Sequence, residues 1–525
     1  MTDERNILQA PYGGDQAMLE CLWVEYDMTD RDDAKTHPAL TSGYEALDRL
    51  SDRAETDIPT IHFTDVTLRD GQQQRTNEVT MEQRIDVFDQ IVSTGIDRIE
   101  TGHLGNQEDR EFTAALIERI ARREKTDERY AQVKIQVLFG SQEHLIEQGS
   151  DALCEAFQRH YGEGWEKAMA DKVVVHVYDR IDNNLINTAS APYTPMESAT
   201  RVYRASQHAL DKGFRHFSIS AEAATAVEPE DAIQFYGYIN HLLLANGATT
   251  VNDNLANTYG YSPNEAWNAA SMTVFNQAVK HGFDGQVTTS VHAHNDTEAS
   301  TDFAMSAAVA GFDRIEGTLI GMGERSGNTA LVTFVARVLE QARHQNIAER
   351  RPEPRRSRIA QVAATVGLRR VVKMPEQIID NLANLYPAGT SIAGIFGPDA
   401  IYRWHRTSLG SPYIHDNGSG PHDAALAAAA SKPVECPPYN NYEWGLLLSA
   451  TMGRPGAEDI AVGDPEAIDR VTVGNHMGGG KTRAIREGRL LRASAAEIAQ
   501  ARTNFREEIQ AIGRIARTGV AIRAA

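Results

Sequence analysis

Cysteine is scarce in this sequence. The three cysteines, Cys21, Cys154 and Cys436, lie far apart in 525 residues and form no CxxC pair. Such spacing excludes both a disulfide framework and a thiolate metal cage, and it is typical of a protein in a reducing compartment. We therefore expect a cytoplasmic protein.

Long hydrophobic runs are also missing. No stretch approaches the ~18 consecutive apolar residues that a membrane span needs, and the mean hydropathy is −0.42. The opening MTDERNILQA carries acidic residues where a signal peptide has basic ones, and no apolar segment follows it. These features argue against an integral membrane protein and against a secretory leader.

Positive charge is in short supply. The sequence has 52 Lys and Arg against 72 Asp and Glu, which gives a net charge of −20. An excess of negative charge opposes non-specific binding to nucleic acid or to anionic lipid. Small anionic substrates remain possible, because they need only a local cluster of positive charge.

A regular alternation of strands and helices begins near residue 60. Amphipathic helical stretches separate eight apolar, β-branched runs, whose starts lie 26 to 43 residues apart. The runs are 61–66, 96–101, 134–140, 173–178, 216–222, 249–254, 288–296 and 314–321. Eight such units predict an α/β fold, a (β/α)₈ TIM barrel spanning residues 60–345.

Two regions of different character flank this barrel. Residues 1–59 are acidic and weakly patterned, and we interpret them as an N-terminal extension in which 18–24 could pack on a neighbour. A charged, proline-containing stretch at 344–358 resembles a linker. Residues 346–525, which begin within this stretch, are predicted to form mainly helical subdomains and a dimerisation region.

Polar residues follow several of the predicted strands at their carboxyl ends, where a TIM barrel places its reactive groups. Those positions are Arg69, Asp70 and Gln73 after strand 1, Glu222 after strand 5, His292 and His294 on strand 7, and Asn328 after strand 8. Strand alternation puts the two histidines on one face.

Four of these residues form a plausible metal site. Because a closed barrel places strand 8 beside both strand 7 and strand 1, Asp70, His292, His294 and Asn328 would come from three adjacent strands. Two imidazoles, a carboxylate and an amide oxygen suit a divalent ion such as Mn²⁺, Mg²⁺, Co²⁺, Fe²⁺ or Zn²⁺. Such a set leaves positions open for a substrate's oxygens.

The motifs TLRDGQQ, HAHND and GTLIGMGERSGN resemble those of the DRE-TIM metallolyase superfamily. The likeness is greatest to its Claisen-condensing branch, the isopropylmalate, homocitrate, citramalate and Re-type citrate synthases. It implies the same four metal ligands and a reaction of acetyl-CoA with a 2-oxo acid. The products would be a 2-substituted malate or citrate-type acid and free CoA, in carboxylic-acid or amino-acid biosynthesis.

The resemblance also implies roles for other residues. Arg69 would stabilise the developing oxyanion, and Glu222 would act with a histidine from the C-terminal segment. His405 is the first choice for that histidine, His415 and His422 follow it, and Tyr442 is a weaker candidate. The substrate-binding positions would be Gln73, Glu100, His103 and Thr258. In relatives the C-terminal groups reach the neighbouring subunit, which implies a homodimer.

The sequence departs from the family pattern near the 2-oxo acid end of the pocket. Ala223 and Asn257 stand where the family usually has aspartate, and TGHLG follows Glu100 where Val-Gly-Phe-Pro is common. The identity of the oxo acid therefore cannot be copied from isopropylmalate synthase. The polar replacements near Glu100, His103 and Asn257 favour a polar or acidic side chain.

Two alternatives remain open at this stage. One is an acyl-CoA lyase or aldolase of the same superfamily, although lyases carry a reactive cysteine in the loop after strand 8 and GMGERSGN has none. The other is a non-catalytic, metabolite-sensing barrel, which the altered pocket positions would suit. Complete retention of the four metal donors and Arg69 favours an enzyme.

Overall fold

The computed structural model describes residues 16–25, 45–46, 50, 60–74, 79–186, 193–260, 267–295, 298–324, 327–335 and 337–338. Within them, eight parallel strands pair in sequence order and close into a barrel, because β8 pairs with β1. The predicted (β/α)₈ barrel is confirmed. Most of the N-terminal extension and the whole of 346–525 lie outside the described residues.

All eight strands coincide with predicted runs. They are β1 His62–Asp65, β2 Arg98–His103, β3 Lys134–Gly140, β4 Val173–Arg180, β5 His216–Glu222, β6 Thr250–Asn257, β7 Val287–Ala293 and β8 Arg314–Gly317.

Helices cover the outside of this barrel. They are α1 Gln16–Glu25, α2 Met81–Ser93, α3 Gln107–Arg123, α4 Glu128–Gln132, α5 Glu143–Tyr161, α6 Trp165–Lys172, α7 Asn183–Ile186, α8 Pro195–Asp211, α9 Pro229–Ala245, α10 Ala269–Lys280 and α11 Ser300–Val309. Short 3₁₀ turns at Gly71–Gln74 and Ala224–Ala226 follow β1 and β5.

Local sequence explains where the helices begin. Thr80 caps α2 by accepting a hydrogen bond from the Gln83 backbone, and the Gln83 side chain accepts one from the Thr80 backbone in return. Thr194 and Glu197 form the same reciprocal capping box at α8, with Pro195 at its first turn. Each box satisfies amide groups that a helix start leaves unpaired.

Two strands end earlier than their apolar runs predict. After Gly317, Thr318 pairs with Ala330 of the returning chain, and its amide donates to Thr329 O at 3.0 Å. After Ala293, His294 pairs with Asn328 in an isolated antiparallel bridge. The residues that follow β7 and β8 therefore pair with the returning segment 328–330 instead of extending the two strands.

The barrel lumen is polar, whereas bulky apolar residues usually fill it. Alternation along the strands sends most of the apolar residues outward to the helices and many polar residues inward. The inward layer beneath the carboxyl mouth includes Gln136, His176, Ser220, Asn254 and Glu316, all of them buried. The centre of the barrel is therefore a hydrogen-bonded support for the residues above it.

The N-terminal helix α1 packs on the barrel's outer helices, as the apolar content of 18–24 suggested. Its Leu19 is buried, and the Trp23 ring meets Tyr238 of α9 edge-on with 5.4 Å between centroids. Gln234 of α9 donates to the Trp23 carbonyl at 3.0 Å. Among the described helices, none has both the length and the apolarity needed to cross a bilayer.

A buried carboxyl group on β6 is expected to make the stability of the fold depend on pH. Asp253 faces α9, where Asn240 Nδ2 donates to its Oδ2 at 2.7 Å. Burial raises the pKa of Asp253 to about 8 and outweighs the lowering effect of that hydrogen bond. Its contribution to stability is therefore full below its unfolded pKa of about 3.9 and is lost as pH rises toward 8.

We expect Asp253→Asn to remove this loss, because the amide keeps an acceptor for Asn240 and does not ionise. The variant should be more stable than the wild type by several kcal/mol at pH 8 to 9, since the pKa of Asp253 differs by about four units between the folded and unfolded states. At pH 4 the two should match. Urea unfolding at pH 4 and pH 9 measures the difference, and equal stability at pH 9 would contradict the raised pKa of Asp253.

Candidate metal centre

The predicted metal donors meet at the carboxyl mouth of the barrel. His292 lies on β7, His294 lies just past its end, and Asp70 follows β1. One ligand atom from each of the three fits in a buried group whose atoms all lie within 4.8 Å of one another. His292 Nε2 is 3.6 Å from Asp70 Oδ2, and the two imidazole centroids are 5.0 Å apart.

Asn328 completes this cluster. Its Nδ2 donates to Asp70 Oδ1 at 2.7 Å and to Met322 O at 3.2 Å. Its Oδ1 is buried without a hydrogen-bond partner among the described residues. A buried, unsatisfied carbonyl oxygen beside a carboxylate and two imidazoles fits a divalent cation, which would take the oxygen as a ligand.

A close backbone approach shapes the loop after β8. A Cβ built at Gly323 would lie 2.0 Å from Asn328 Nδ2 and 2.6 Å from Asp70 Oδ1. The next amide, that of Glu324, donates to Asp70 Oδ1 at 2.8 Å. Only glycine fits at this point, so Gly323 belongs to the site. Sequence reasoning did not single it out, although it lies directly before the ERSGN stretch.

Asp70 is ionised in this setting. Burial alone would raise the pKa of its carboxyl, but Arg69 and the two histidines together outweigh burial and hold that pKa well below its usual value. Arg69 Nη1 donates to Asp70 Oδ2 at 2.6 Å. The cluster therefore offers a cation a carboxylate rather than a neutral acid.

Arg69 joins the metal donors to the second strand. Its Nε donates to Glu100 Oε2 at 2.5 Å and its Nη1 donates to Asp70, so two nitrogens of the guanidinium are held at once. Burial would lower the pKa of Arg69, but Glu100 and Asp70 raise it above its usual value. The guanidinium is thus a fixed positive charge beside the candidate metal ligands.

Glu100 lies beneath Arg69 and is fully buried. Besides Arg69, it accepts from Gln136 Nε2 at 3.0 Å, and His176 Nδ1 lies 2.6 Å from its Oε1. Its surroundings are therefore protein groups that orient Arg69. Contact between Glu100 and a substrate stays a prediction.

His103 and Gln73 lie at the same end of the barrel as the metal donors. His103 ends β2, and its Nδ1 accepts from the Gly105 amide at 3.3 Å. Its ring meets Tyr178 edge-on at 6.3 Å, and burial lowers its pKa. Gln73 lies in the 3₁₀ turn after β1. Substrate binding by either residue stays a prediction.

Thr258 lies directly after β6 and reaches across to the end of β5. Its hydroxyl accepts from the Ala223 amide at 2.8 Å. Ala223 has a φ of +65°, a left-handed conformation that costs a non-glycine residue energy. The contact therefore fixes the strained turn that carries Glu222.

Glu222 forms an ion pair that sequence reasoning missed. Arg180 ends β4, and its Nε lies 3.3 Å from Glu222 Oε2 at the rim of the mouth. An arginine at the carboxyl end of a predicted strand was the available signal. The predicted catalytic histidines, His405 and His415, lie outside the described residues, as do His422 and Tyr442.

A closed parallel barrel whose mouth gathers a buried carboxylate and two imidazoles defines a TIM barrel with a candidate divalent-metal site. The family profile described as HMGL-like matches residues 60–366. The chain belongs to the HMGL-like family, within the DRE-TIM metallolyase superfamily, which confirms the superfamily resemblance seen in the motifs.

Several curated relatives are 2-isopropylmalate synthases. The chain is 30% identical over 275 residues to that of Methylacidiphilum infernorum, covering 52% of this chain and 47% of the relative. It is 26% identical over 324 residues to that of Corynebacterium glutamicum, covering 59% of this chain and 47% of the relative. The chain thus spans about half the length of the curated relatives it matches.

Similar solved structures include an HMG-CoA lyase from Brucella melitensis, with 16% identity and a TM-score of 0.39, covering 54% of this chain and 92% of that one. The carboxyl transferase domain of Rhizobium etli pyruvate carboxylase has 12% identity and a TM-score of 0.37. That match covers 86% of this chain and 63% of the other. The fold assignment rests on the barrel's own strand order rather than on these scores.

Proposed function

We propose that this chain is a metal-dependent acyltransferase that condenses acetyl-CoA with a 2-oxo acid. The observation that carries the proposal is the Asp70, His292 and His294 cluster with the fixed guanidinium of Arg69 beside it. The relatives named 2-isopropylmalate synthase support the same reaction class over about half of this chain.

A divalent cation held by Asp70, His292, His294 and Asn328 would supply Lewis acidity toward the ketone of the oxo acid. Arg69 would stabilise the negative charge that develops on the ketone oxygen, because its guanidinium is already oriented by Glu100 and Asp70. Thr258 would bind the carboxylate of the oxo acid.

The condensation needs a base, because the methyl group of acetyl-CoA is weakly acidic. One C–H bond of that methyl breaks, its proton goes to the base, and the electron pair forms the bond to the ketone carbon. The ketone oxygen then takes up a proton, and water cleaves the thioester to release CoA. Glu222 is the base candidate in the barrel, acting with His405 or His415.

The proposed oxo acid has a polar or acidic side chain. His103 and Asn257 stand where the family pattern differs, and both lie at the carboxyl end of their strands. Asn257 Oδ1 accepts from Thr225 at 3.0 Å, so a polar group is held at this end of the pocket. A homodimer is also part of the proposal. In relatives the C-terminal groups reach the active site of the neighbouring subunit, and His405 and His415 belong to that region of this chain.

Free thiol release tests this function. The full chain, loaded with Mn²⁺, Mg²⁺, Co²⁺ or Zn²⁺ in turn, is incubated with acetyl-CoA and each of several oxo acids: oxaloacetate, pyruvate, 2-oxoglutarate and 2-oxoisovalerate. We expect thiol release with at least one acid, a loss of at least about 100-fold on chelation, and recovery when metal is returned. Protein that binds metal but releases no thiol with any acid would favour the metabolite-sensing alternative.

A further inference from the structure

The two ring nitrogens of His292 face different partners. Nε2 points into the metal cluster, 3.6 Å from Asp70 Oδ2. Nδ1 is buried, has no hydrogen-bond partner among the described residues, and lies 3.7 Å from Glu316 Oε2. A carboxylate therefore stands behind the imidazole, on the side away from the candidate cation.

Glu316 is held in this place by its own neighbours. It lies on β8, fully buried in the lumen, and its Oε2 accepts from Asn254 Nδ2 at 2.9 Å. Ser290 donates to its Oε1 at 3.4 Å. Asn254 is fixed in turn, because its Nδ2 also donates to Ser220 Oγ at 3.0 Å. The lumen layer thus sets where the carboxylate lies.

The position of this carboxylate bears on how His292 can bind a metal. A neutral imidazole carries one N–H, and the nitrogen that ligates must be the one without it. A carboxylate beside Nδ1 favours the tautomer with the proton on Nδ1, which leaves the Nε2 lone pair for the cation. It also makes the imidazole a stronger ligand.

We propose that Glu316, held by Asn254, is a positioning residue that fixes His292 as an Nε2 metal ligand. The proposal rests on the metal site of the proposed function. A cation bound at Nε2 would increase the acidity of the Nδ1 proton and so strengthen its attraction to the Glu316 carboxylate, 3.7 Å away.

A purely structural role is the competing explanation. Burial and Arg314 lower the pKa of Arg98 to about 9, a shift that Asp97 and Glu316 oppose. Asp97, with a smaller contribution from Glu316, raises the pKa of Arg314. If Glu316 served only to balance these arginines, its loss would reduce stability and leave metal affinity unchanged. Affinity and stability therefore need separate measurements.

Calorimetric titration of the metal-free full chain with Co²⁺ measures affinity without reference to activity. We expect Glu316→Gln to weaken Co²⁺ binding by about 10- to 100-fold, because the amide lacks the charge that stabilises the Nδ1 proton. Asn254→Ala should weaken it less, since the carboxylate remains. The matched control is Asp253→Asn, an acid-to-amide change on β6 at a side chain that faces α9 and not the lumen, and it should bind Co²⁺ as the wild type does.

The visible spectrum of bound Co²⁺ gives a second readout that a structural role would not change. We expect the d–d bands to shift in Glu316→Gln at saturating metal and to stay unchanged in Asp253→Asn. Wild-type affinity and spectrum in Glu316→Gln would overturn the inference and leave the proposed function standing. Weakened binding that merely parallels a lowered melting temperature, with no shift of the bands, would also overturn it. A wild type that binds no divalent cation would instead remove the proposed function.

Discussion

Replacing His292 or His294 with alanine is expected to reduce thiol release by at least about 1,000-fold while the barrel stays folded. Each histidine supplies one ligand atom to the buried cluster, and Asp70 and Asn328 cannot hold a divalent ion at the same affinity without it. Loss of the ion removes several kcal/mol of charge stabilisation from the condensation, and every 1.36 kcal/mol is tenfold in rate.

Steady-state thiol release and Co²⁺ titration of the same preparations test this expectation. The matched control is His216→Gln, which replaces a histidine at the opposite end of the barrel, where Nδ1 contacts Thr250 Oγ1 at 2.8 Å. Burial lowers the pKa of His216 to about 4, so it is as neutral as a ligating histidine must be. Rates near the wild-type value in either cluster variant would contradict the ligand assignment.

The order of the strands could be predicted from sequence because each βα unit carries a local signal. An apolar, β-branched run indicates a buried strand, and apolar residues every three to four positions indicate a helix. Eight such units in succession have few ways to pack. The ends of β7 and β8 carry no such signal. They depend on the contacts of Thr318 with Ala330 and of His294 with Asn328, which only the assembled loops provide.

The clustering of the candidate metal donors could be predicted because they lie at the ends of strands, where the position itself suggests chemistry. Glu316 and Asn254 lie inside strands, and a polar residue in an otherwise apolar run does not reveal what it faces. Their partners come from β5 and β7, and Asn254 joins β6 to β8 across the lumen. Closure of the barrel brings these side chains together, and no local pattern in the sequence predicts that contact.

Arg69→Lys is expected to keep the metal and to lose about 100- to 1,000-fold in turnover, the cost of one oxyanion-stabilising donor. The arginine is held at two points, with Nε on Glu100 at 2.5 Å and Nη1 on Asp70 at 2.6 Å. A lysine ammonium is a single point charge, so it cannot contact both carboxylates and also present a donor to the ketone oxygen.

The split between metal affinity and turnover distinguishes the possible roles of Arg69. Unchanged Co²⁺ affinity with reduced turnover at saturating substrates would support a role in the reaction itself. Loss of metal would instead show that Arg69 serves mainly to orient Asp70, and wild-type turnover would show that the guanidinium geometry is not used. Arg119→Lys is the matched control, because that arginine pairs with Asp89 on the outer helices and is remote from the mouth. It should leave both quantities unchanged, since its loss affects only a partly exposed ion pair.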